Sequence, residues 1–347
     1  MKHLYNRVDK RLLKEKLSQE NNPRTTLSFY KYANIKNVEF FRGHLYVLLA
    51  NHDVLGRIYV AKEGINGQIS VPDNSFEDFK ASLYSILFLE NVRLNIAIED
   101  NDKSFYKLVI KIKDKIVADG LDDLSFDVTD RGNHINAEEF NRLVTDNDTL
   151  LIDMRNHYES EVGHFENAIC PDVETFRESL PIVEKLLEDK KENNIVMYCT
   201  GGIRCEKASA YFKHKGFKHV HQLDGGIIEY AREIKKAGLK NKFKGKNFVF
   251  DDRLGERISE DIISVCHQCG ATCDAHVNCT NNVCHILFIQ CASCATKYES
   301  CCSHKCKDYK RLPEEEKMKF ANIKFNGTKF GKGRYKALHQ HDSLDLE

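Results

Sequence analysis

Cys199 is the side chain in this sequence best placed for nucleophilic chemistry. It ends the apolar run NIVMYC, and the helix-like segment CEKASAYFKHKG follows shortly after it. The loop between them consists of Thr200, Gly201, Gly202, Ile203 and Arg204. Adjacent glycines let the backbone curl with its amides pointing inward, and the helix adds its positive N-terminal end. Because these amides and the Arg204 guanidinium favour a thiolate, we predict a reactive Cys199 on a strand–loop–helix unit.

The spacing between Cys199 and Arg204 bears on the kind of substrate. Four residues separate them, one fewer than in phosphatase loops of the CxxxxxR type. The shorter loop suits a sulfur substrate better than a phosphate monoester. The competing interpretation is an unreactive Cys199 that ends a core strand before a glycine turn. The neighbouring Cys205 could resolve a persulfide or sulfenic acid on Cys199, or it could simply pack at the base of the loop.

A second concentration of reactive side chains lies near the C-terminus, where ten of the thirteen cysteines fall between residues 266 and 306. Cys266 with Cys269, and Cys291 with Cys294, form two CxxC pairs separated by 21 residues, which approximates zinc-ribbon spacing. We therefore predict a structural zinc, with an iron–sulfur cluster or metal-free reduced thiols as alternatives. The remaining potential ligands suffice for a second ion: Cys273, Cys279, Cys284, Cys301, Cys302, Cys306, His267, His276, His285 and His304.

The elements around Cys199 alternate between helical and strand patterns. In chain order they are AEEFNRLV, LLIDMR, FRESLPIVEKLLED, NIVMYC, CEKASAYFKHKG and HVHQL. Alternation of this kind predicts a parallel α/β sheet with helices on both faces.

The region from 25 to 113 has a different pattern. The segments with the β-branched and aromatic content of strands are TLSFYKYAN, HLYVLLA, RIYVA, GQISV, RLNIAIED and FYKLVIKIK. Among them, FEDFKASLYSIL places Phe76, Phe79, Leu83 and Leu87 at helical intervals. This order predicts a small, ferredoxin-like α+β domain.

A chain of 347 residues exceeds the size at which single cores stop growing, so several domains are expected. The predicted fold class is a multidomain α/β and α+β protein with a small Cys-rich C-terminal region. The predicted segments are an N-terminal helical extension at 1–24, the ferredoxin-like domain at 25–120, the parallel α/β domain at 121–240, the Cys-rich region at 241–310 and a basic, partly disordered tail at 311–347.

Charge is strongly segregated along the chain, although the formal net charge is zero. Residues 119–178 hold sixteen acidic against four basic side chains, whereas 231–247 hold seven basic against one acidic and 305–336 hold eleven against four. Basic stripes interleaved with Phe and Tyr suit a polyanion such as RNA, although a solvated tail has the same composition. No run approaches the ~18 apolar residues of a membrane helix and no export signal is recognisable, which predicts a soluble, cytoplasmic protein.

Two flanking motifs make residues 131–237 resemble the rhodanese family. LLIDMRNHYESEVGHFENAI is similar to the opening element of that family, and GFKHVHQLDGGIIEYARE is similar to its last strand, glycine turn and helix. The resemblance implies that Asp153 and Arg155 shape the surroundings of the active site, and that Gly163 and His164 form a turn. It also implies that Cys199 can carry a persulfide.

Further motifs resemble a narrower family, the oxygen-dependent tRNA uridine(34) hydroxylases. They are RIYVAKEGINGQIS at 57–70, YCTGGIRCEKAS, CHQCGATCDAHVNC and FIQCASCATKYESCC. The resemblance covers roughly residues 25–310. It implies an oxidoreductase that makes 5-hydroxyuridine at the wobble position, with molecular oxygen as co-substrate and the tRNA anticodon loop as partner.

Three functional hypotheses are open at this point. The first is hydroxylation of uridine 34, in which the Cys199 thiolate attacks C6 and makes C5 reactive toward an oxygen donor. The alternative is a sulfurtransferase that acts through a Cys199 persulfide. The third is a non-enzymatic binding module, against which the presence of both Cys199 and Arg204 argues. No flavin, haem or facial-triad iron motif is recognisable, so no organic cofactor is predicted.

Lysines supply the predicted contacts to RNA phosphates. They are Lys62, together with backbone amides of the EGING segment, and Lys240, Lys242 and Lys244. The glycines around Ile65 and Asn66 have an alternative interpretation as a tight turn between strands. None of these motifs determines the oligomeric state.

Overall fold

The computed structural model describes most of the chain and divides it into two compact units. The described residues are 8–19, 22–99, 104–121, 127–320, 325–327 and 334–335. The first unit comprises 1–157, 167–242 and 249–257, and the second comprises 158–166, 243–248 and 258–347. Most of the tail predicted at 311–347 lies outside the described residues, and the other domain bounds remain predictions. Within the described ranges, every helix is too short or too polar to span a bilayer.

The N-terminal part of the first unit is a mixed sheet with two helices packed on it. Its elements are α1 (Lys10–Gln19), β1 (Arg24–Tyr32), α2 (Val38–Ala50), β2 (Leu55–Ala61), β3 (Gly64–Pro72), α3 (Phe76–Tyr84), β4 (Asn95–Ile96) and β5 (Leu108–Ile112), with 3₁₀ turns at Asp73–Ser75 and Leu87–Leu89. The strand order is β4–β1–β3–β2–β5. β1 and β2 run antiparallel to the central β3, and β5 is parallel to β2. The βαββαβ succession from β1 to β4, to which β5 adds a further edge strand, confirms the ferredoxin-like class predicted here.

The strand prediction for HLYVLLA is wrong. These residues form the second half of α2, in which Phe41, Leu45 and Leu49 are buried at helical spacing. Asn37 caps the helix by accepting a hydrogen bond from the Phe40 amide at 3.0 Å. The cap and the core-facing i, i+4 pattern outweigh the strand preference of a short window of residues.

The alternative interpretation of the glycines around Ile65 and Asn66 as a tight turn is also wrong. Gly64 begins β3 and Gly67 lies within it, so the turn falls earlier in the chain, at Lys62 and Glu63. A Cβ at Gly64 would lie 2.1 Å from the carbonyl oxygen of Lys31, and one at Gly67 would lie 2.8 Å from the Phe29 ring. The glycines therefore allow close approach between β1 and β3.

The central part of the chain alternates strands and helices, as predicted. Its elements are β6 (Asn133–Ile135), α4 (Ala137–Leu143), β7 (Thr149–Asp153), α5 (His157–Ser160), β8 (Gly163–Phe165), α6 (Phe176–Leu186), β9 (Asn194–Tyr198), α7 (Ile203–His214), β10 (His219–Leu223), α8 (Gly226–Ala237), β11 (Phe243–Asn247) and β12 (Glu256–Arg257). β6, β10, β9 and β7 form a parallel sheet in that order. α6 and α7 cover Ile195 and Met197, while α4 and α8 meet through Phe140 and Tyr230. The parallel α/β class is thus confirmed.

The second unit contains few and short elements. Besides β8 and β11, which pair antiparallel, they are β13 (His276–Asn278), β14 (Leu287–Ile289), α9 (Ala292–Tyr298), α10 (His304–Arg311), α11 (Glu314–Lys317) and a 3₁₀ turn at Met318–Phe320. β13 pairs antiparallel with β14, and the buried cluster around them consists largely of cysteines. So small an apolar core needs another source of stability.

The turn implied for Gly163 and His164 is wrong, because both residues lie in β8. A Cβ at Gly163 would come within 2.2 Å of the Lys246 carbonyl oxygen. The glycine therefore serves the close pairing of β8 with β11.

Candidate active site

Cys199 follows β9 and is fully buried at the base of the predicted loop. The Gly202 amide donates to Cys199 Sγ at 3.2 Å, and Gly202 has a φ of 96°, which only glycine adopts without strain. The first turn of α8 holds the loop through two backbone hydrogen bonds. The Ile227 amide donates to the Cys199 carbonyl at 3.0 Å, and the Ile228 amide donates to the Thr200 carbonyl at 3.2 Å. The structure therefore forms the amide-lined cradle that the sequence predicts.

The environment of Cys199 favours its thiolate. Burial raises the pKa of the thiol, but the hydrogen bond from Cys205, the charge of Arg204 and the amides of both residues lower it to about 6. Arg204 Nη2 also donates to Thr200 Oγ1 at 3.4 Å, and its guanidinium lies over the Phe250 ring. Cys199 is therefore mostly deprotonated at neutral pH.

Cys205 lies against the nucleophile in the first turn of α7. Burial, and then the neighbouring Cys199, raise its pKa well above the ordinary value of a thiol. Cys205 thus stays protonated and donates to the Cys199 sulfur. It also packs in the core of the parallel sheet. The resolving role predicted for it and the packing role are both compatible with this position.

Asp153 and Arg155 lie beside the strand that carries the nucleophile. Asp153 is paired with Tyr198 in the β7–β9 ladder. Arg155 donates to Asp153 Oδ2 at 2.6 Å, both side chains are fully buried, and the guanidinium lies over the Tyr198 ring. This buried ion pair braces the end of β9, which agrees with a supporting role rather than contact with substrate.

The N-terminal domain packs over the Cys199 loop, a feature that the sequence analysis did not predict. We call the part of this domain that contacts the loop the roof. Tyr32 Oη donates to the Ile203 carbonyl at 3.4 Å, and Asn95 Nδ2 donates to the Gly201 carbonyl at 3.5 Å. Tyr30 Oη donates to Glu206 Oε1 at 3.0 Å. Loop and roof are therefore held in one arrangement.

Two buried charged residues of α7 strengthen this attachment. Glu206 accepts from Arg131 at 2.7 Å and pairs with His134 at 3.0 Å. Lys207 lies 3.0 Å from Glu63 and 2.5 Å from Asp119. Lysine and glutamate are rarely buried unless paired, and the ion pairs of Lys207 connect α7 to the N-terminal domain.

A cavity of about 370 Å³ lies between this roof and the loop. The residues that line it include Ser28, Tyr30, Arg57, Tyr59, Asn66, Gln68, Asn95, Cys199, Thr200, Arg204, Phe250, Arg253 and Glu256. Its volume is within the range of small-ligand sites. The reactive thiol thus belongs to a site large enough for a substrate.

One face of the N-terminal sheet forms the wall of the cavity. Arg57 pairs with Gln68, and Tyr59 pairs with Asn66, across β2 and β3. The alternate residues, such as Ile58, are in the domain core. Period-two alternation within RIYVAKEGINGQIS is the signal that could have identified these residues. The motif therefore contributes a polar wall to the cavity, and the phosphate contacts predicted at its Lys62 turn remain a prediction.

Part of the wall lacks hydrogen-bond partners. Among the described residues, no donor reaches the enclosed atoms Asn95 Oδ1 and Glu256 Oε2. Glu256 Oε1, by contrast, accepts from the Ile98 amide at 3.1 Å and from Arg253 at 2.6 Å. Burial raises the pKa of Glu256 even though Arg253 opposes the shift. Buried polar atoms of this kind commonly pair with water or with a ligand.

The predicted lysines have different surroundings. Lys62 is exposed in the β2–β3 turn, and Lys240 is exposed after α8. Lys242 donates to Thr145 Oγ1 at 2.9 Å. Lys244, in the second unit, lies 3.4 Å from both Glu166 and Asp261. Its charge is therefore partly neutralised within the protein, whereas Lys240 has no ion pair among the residues that the structure describes.

The Cys-rich region contains two groups of four cysteines that could each hold a metal ion. One group is the predicted set Cys266, Cys269, Cys291 and Cys294, whose sulfurs all lie within 4.8 Å of one another. Two of the four histidines have other partners: His267 Nε2 lies 2.7 Å from Glu161, and the half-buried His276 ring packs on Phe248. Burial lowers the pKa of His276 to about 4, so its ring is neutral.

Family models match three successive regions of the chain. Residues 24–116 match the UPF0176 acylphosphatase-like domain, residues 136–233 the rhodanese-like domain, and residues 244–307 the rhodanase C-terminal domain.

Curated relatives match nearly the whole chain. A tRNA uridine(34) hydroxylase of Photorhabdus laumondii is 54% identical over 346 residues, which cover 99% of this chain and 98% of the relative. A tRNA uridine(34) hydroxylase of Pectobacterium atrosepticum is 55% identical over 327 residues, which cover 94% and 92%. A solved rhodanese-like domain from Anabaena is 20% identical to this chain. The match covers 32% of this chain and 78% of that one, with a TM-score of 0.27.

Proposed function

The chain belongs to the family of tRNA uridine(34) hydroxylases, and we propose that it hydroxylates uridine 34 of tRNA with the base held beside Cys199. The observation that carries this proposal is the cavity in which the polar face of the N-terminal sheet meets the Cys199 loop. A cavity of about 370 Å³ suits one pyrimidine nucleoside. Anticodon bases are unpaired and can be splayed into such a pocket, so the anticodon loop is the partner.

Cys199 acts as the nucleophile in the proposed reaction. Its thiolate attacks C6 of uracil, which forms a C–S bond and moves electron density to C5 and O4. C5 then bonds to oxygen, and loss of the C5 proton expels the thiolate and restores the ring. With molecular oxygen as oxidant, one oxygen atom enters the base and the other becomes water. Two electrons and two protons come from an external reductant.

The cavity wall supplies groups that suit a uridine nucleotide. The amide of Gln68 offers a donor and an acceptor, which match a carbonyl and the N3–H group of uracil. Arg57 is exposed at the same wall and can neutralise a flanking phosphate. Lys62, Lys240 and Lys242 extend the proposed contacts to the rest of the anticodon arm.

A sulfurtransferase that acts through a Cys199 persulfide is the second candidate. The amide-lined loop would stabilise a persulfide as well as a thiolate. That function leaves the roof and its polar wall without a role, and we therefore place it second.

Nucleoside mass spectrometry of tRNA tests both candidates. Cells that lack this protein are complemented with wild type, Cys199→Ser or Cys170→Ser, with and without oxygen. Cys170 is a matched control, since it is half-buried, its thiol contacts the Ala168 carbonyl, and it does not line the cavity. We expect oxygen-dependent 5-hydroxyuridine with wild type and Cys170→Ser only. Unchanged 5-hydroxyuridine with Cys199→Ser would exclude the proposed mechanism, and a change confined to thiolated nucleosides would favour sulfur transfer.

Cys266, Cys269, Cys291 and Cys294 suit a single structural zinc. Cys269 and Cys291 sulfurs lie 3.6 Å apart, and the Cys291 amide donates to Cys266 Sγ at 3.4 Å. Zn–S bonds of about 2.3 Å in a tetrahedron place sulfurs about 3.8 Å apart. An iron–sulfur cluster inserts several iron and sulfide atoms between its ligands and needs wider spacing. The geometry therefore favours a mononuclear site.

A further inference from the structure

We propose that Cys279, Cys284, Cys302 and Cys306 form a second tetrathiolate site, which holds its own zinc ion. All four side chains are fully buried, and their sulfurs lie within 4.8 Å of one another. Cys302 Sγ is 3.7 Å from Cys284 Sγ and 3.5 Å from Cys306 Sγ. These separations match the edges of a tetrahedron with Zn–S bonds of about 2.3 Å.

Donors around three of the four sulfurs favour the thiolate form. The Cys302 amide donates to Cys279 Sγ at 3.4 Å, and the Gly327 amide donates to Cys284 Sγ at 3.3 Å. Asn281 Nδ2 donates to Cys306 Sγ at 3.4 Å. Several thiolates buried together repel one another unless a cation neutralises them. A divalent soft or borderline ion is the species that this arrangement requires.

The local backbone presents the ligands in two pairs. Cys279 and Cys284 flank a turn in which the Asn281 carbonyl accepts from the Cys284 amide at 3.0 Å. Cys302 and Cys306 flank the start of α10, whose cap Ser303 accepts from the Cys306 amide at 3.2 Å. Local hydrogen bonds therefore position both members of each pair.

The neighbouring Cys301 does not belong to this set, although it is also buried. Its sulfur lies 3.2 Å from Thr280 Oγ1, and it is outside the group of four mutually close sulfurs. Cys301 is therefore a matched control for Cys302 and Cys306.

The two tetrathiolate sites are interleaved in the sequence. The ligand pairs occur in the order Cys266/Cys269, Cys279/Cys284, Cys291/Cys294 and Cys302/Cys306, so alternate pairs belong to the same site. Each ion therefore closes a loop that contains a ligand pair of the other. Loss of either ion should loosen the site that remains.

Hydrogen bonds also connect the two sites. Gln268, within the first knuckle, donates to the carbonyls of Cys301 and Cys302 at 3.1 Å. Gln290, next to Cys291, donates to Gln268 Oε1 at 2.7 Å and to the Cys301 carbonyl at 3.2 Å. These contacts give a direct route for coupling between the sites.

Metal analysis of the purified full-length protein tests the inference. We expect two zinc ions per chain in wild type and in Cys301→Ser. Cys306→Ser should contain at most one, and the remaining zinc should pass to a chelator at least tenfold faster than in wild type. Two zinc ions in Cys306→Ser, or loss of zinc from Cys301→Ser instead, would overturn the assignment of ligands.

A measurement on the native protein covers the case in which Cys306→Ser fails to fold. Stepwise modification of wild-type thiols should release two zinc ions, measured with a colorimetric chelator. Cobalt substitution should give the visible bands of two tetrahedral thiolate sites. Release of one ion only, or iron with acid-labile sulfide, would contradict the proposal. Neither assay depends on the hydroxylase reaction.

Discussion

Cysteines have functional roles in two regions of this protein, and the surroundings of their thiols differ between the two regions. Cys199 lies beside a cavity, and its sulfur has one thiol neighbour, Cys205, together with one cation and several amides. In the second unit, eight thiols form two groups whose members lie within 4.8 Å of one another. A single thiolate next to an arginine is a nucleophile, whereas four converging thiolates are a ligand set. Burial alone does not distinguish these roles, because cysteines of both kinds are buried.

The largest effect on activity should come from removing the Cys199 thiol. Cys199→Ser should lower hydroxylation by at least ~10³-fold, because a serine hydroxyl is not ionised at neutral pH. Single-turnover assays with a tRNA anticodon arm measure this. The zinc content of Cys199→Ser should equal that of wild type. If Cys199→Ser retained activity within tenfold of wild type, Cys199 would not be the nucleophile that distinguishes it from the ligand cysteines.

Removing a converging thiol should instead affect stability first. Cys294→Ser should lose one zinc ion and a large part of the free energy of folding of the second unit, since structural zinc sites contribute up to ~10 kcal/mol or more. Limited proteolysis should cleave residues 258–320 preferentially. Cys273→Ser is the control, because Cys273 is half-buried and belongs to neither group of four. Equal protease resistance in Cys294→Ser and Cys273→Ser would argue against a structural metal there.

A smaller effect is expected at the cavity wall. Gln68→Met keeps the length of the side chain but removes its hydrogen bonds, and should lower kcat/KM by about 10–100-fold, equivalent to ~1–3 kcal/mol. Asn74→Ala, at an exposed position outside the cavity, should leave kcat/KM unchanged. If Gln68→Met matches Asn74→Ala, the polar face does not bind the base.

The pH dependence follows from the lowered pKa of Cys199. Its thiolate is present above about pH 6 and is lost as the pH falls below that value, so kcat/KM should rise through pH 6 and then level off. Arg204→Gln removes a charge that lowers the pKa, and should shift the inflection to higher pH. The rate of Cys199 alkylation against pH, followed by peptide mass spectrometry, reports the same shift without turnover. An unchanged inflection would exclude Arg204 as a cause.

The smallest effects should be on tRNA binding, and they should differ between the exposed Lys240 and the ion-paired Lys244. Lys240→Ala should weaken tRNA binding and reduce the salt dependence of log K by ~0.7–0.9 if one phosphate contact is lost. Lys244→Ala should change it less, because Glu166 and Asp261 already neutralise Lys244. Fluorescence anisotropy across a salt series provides the comparison. A larger effect for Lys244→Ala would reverse this assignment.

The sequence by itself determined the features that depend on neighbouring residues in the chain. The Cys199 loop, its supporting Asp153 and Arg155, and the alternation that predicts a parallel sheet all lie in short segments whose spacing is visible directly. The predicted set Cys266, Cys269, Cys291 and Cys294 depends on two CxxC pairs, and the structure brings these four sulfurs together.

Only the tertiary structure decided which distant residues share a site. The cavity joins Gln68 to Cys199 because the ferredoxin-like sheet packs over the loop, and no local pattern encodes that packing. The same holds for the division of ten C-terminal cysteines into two groups, since spacing alone allows many pairings. Even the helix at HLYVLLA depends on a core that Leu45 and Leu49 meet only after folding. Side-chain propensity acts over a few residues, whereas burial and ligand convergence are properties of the folded chain.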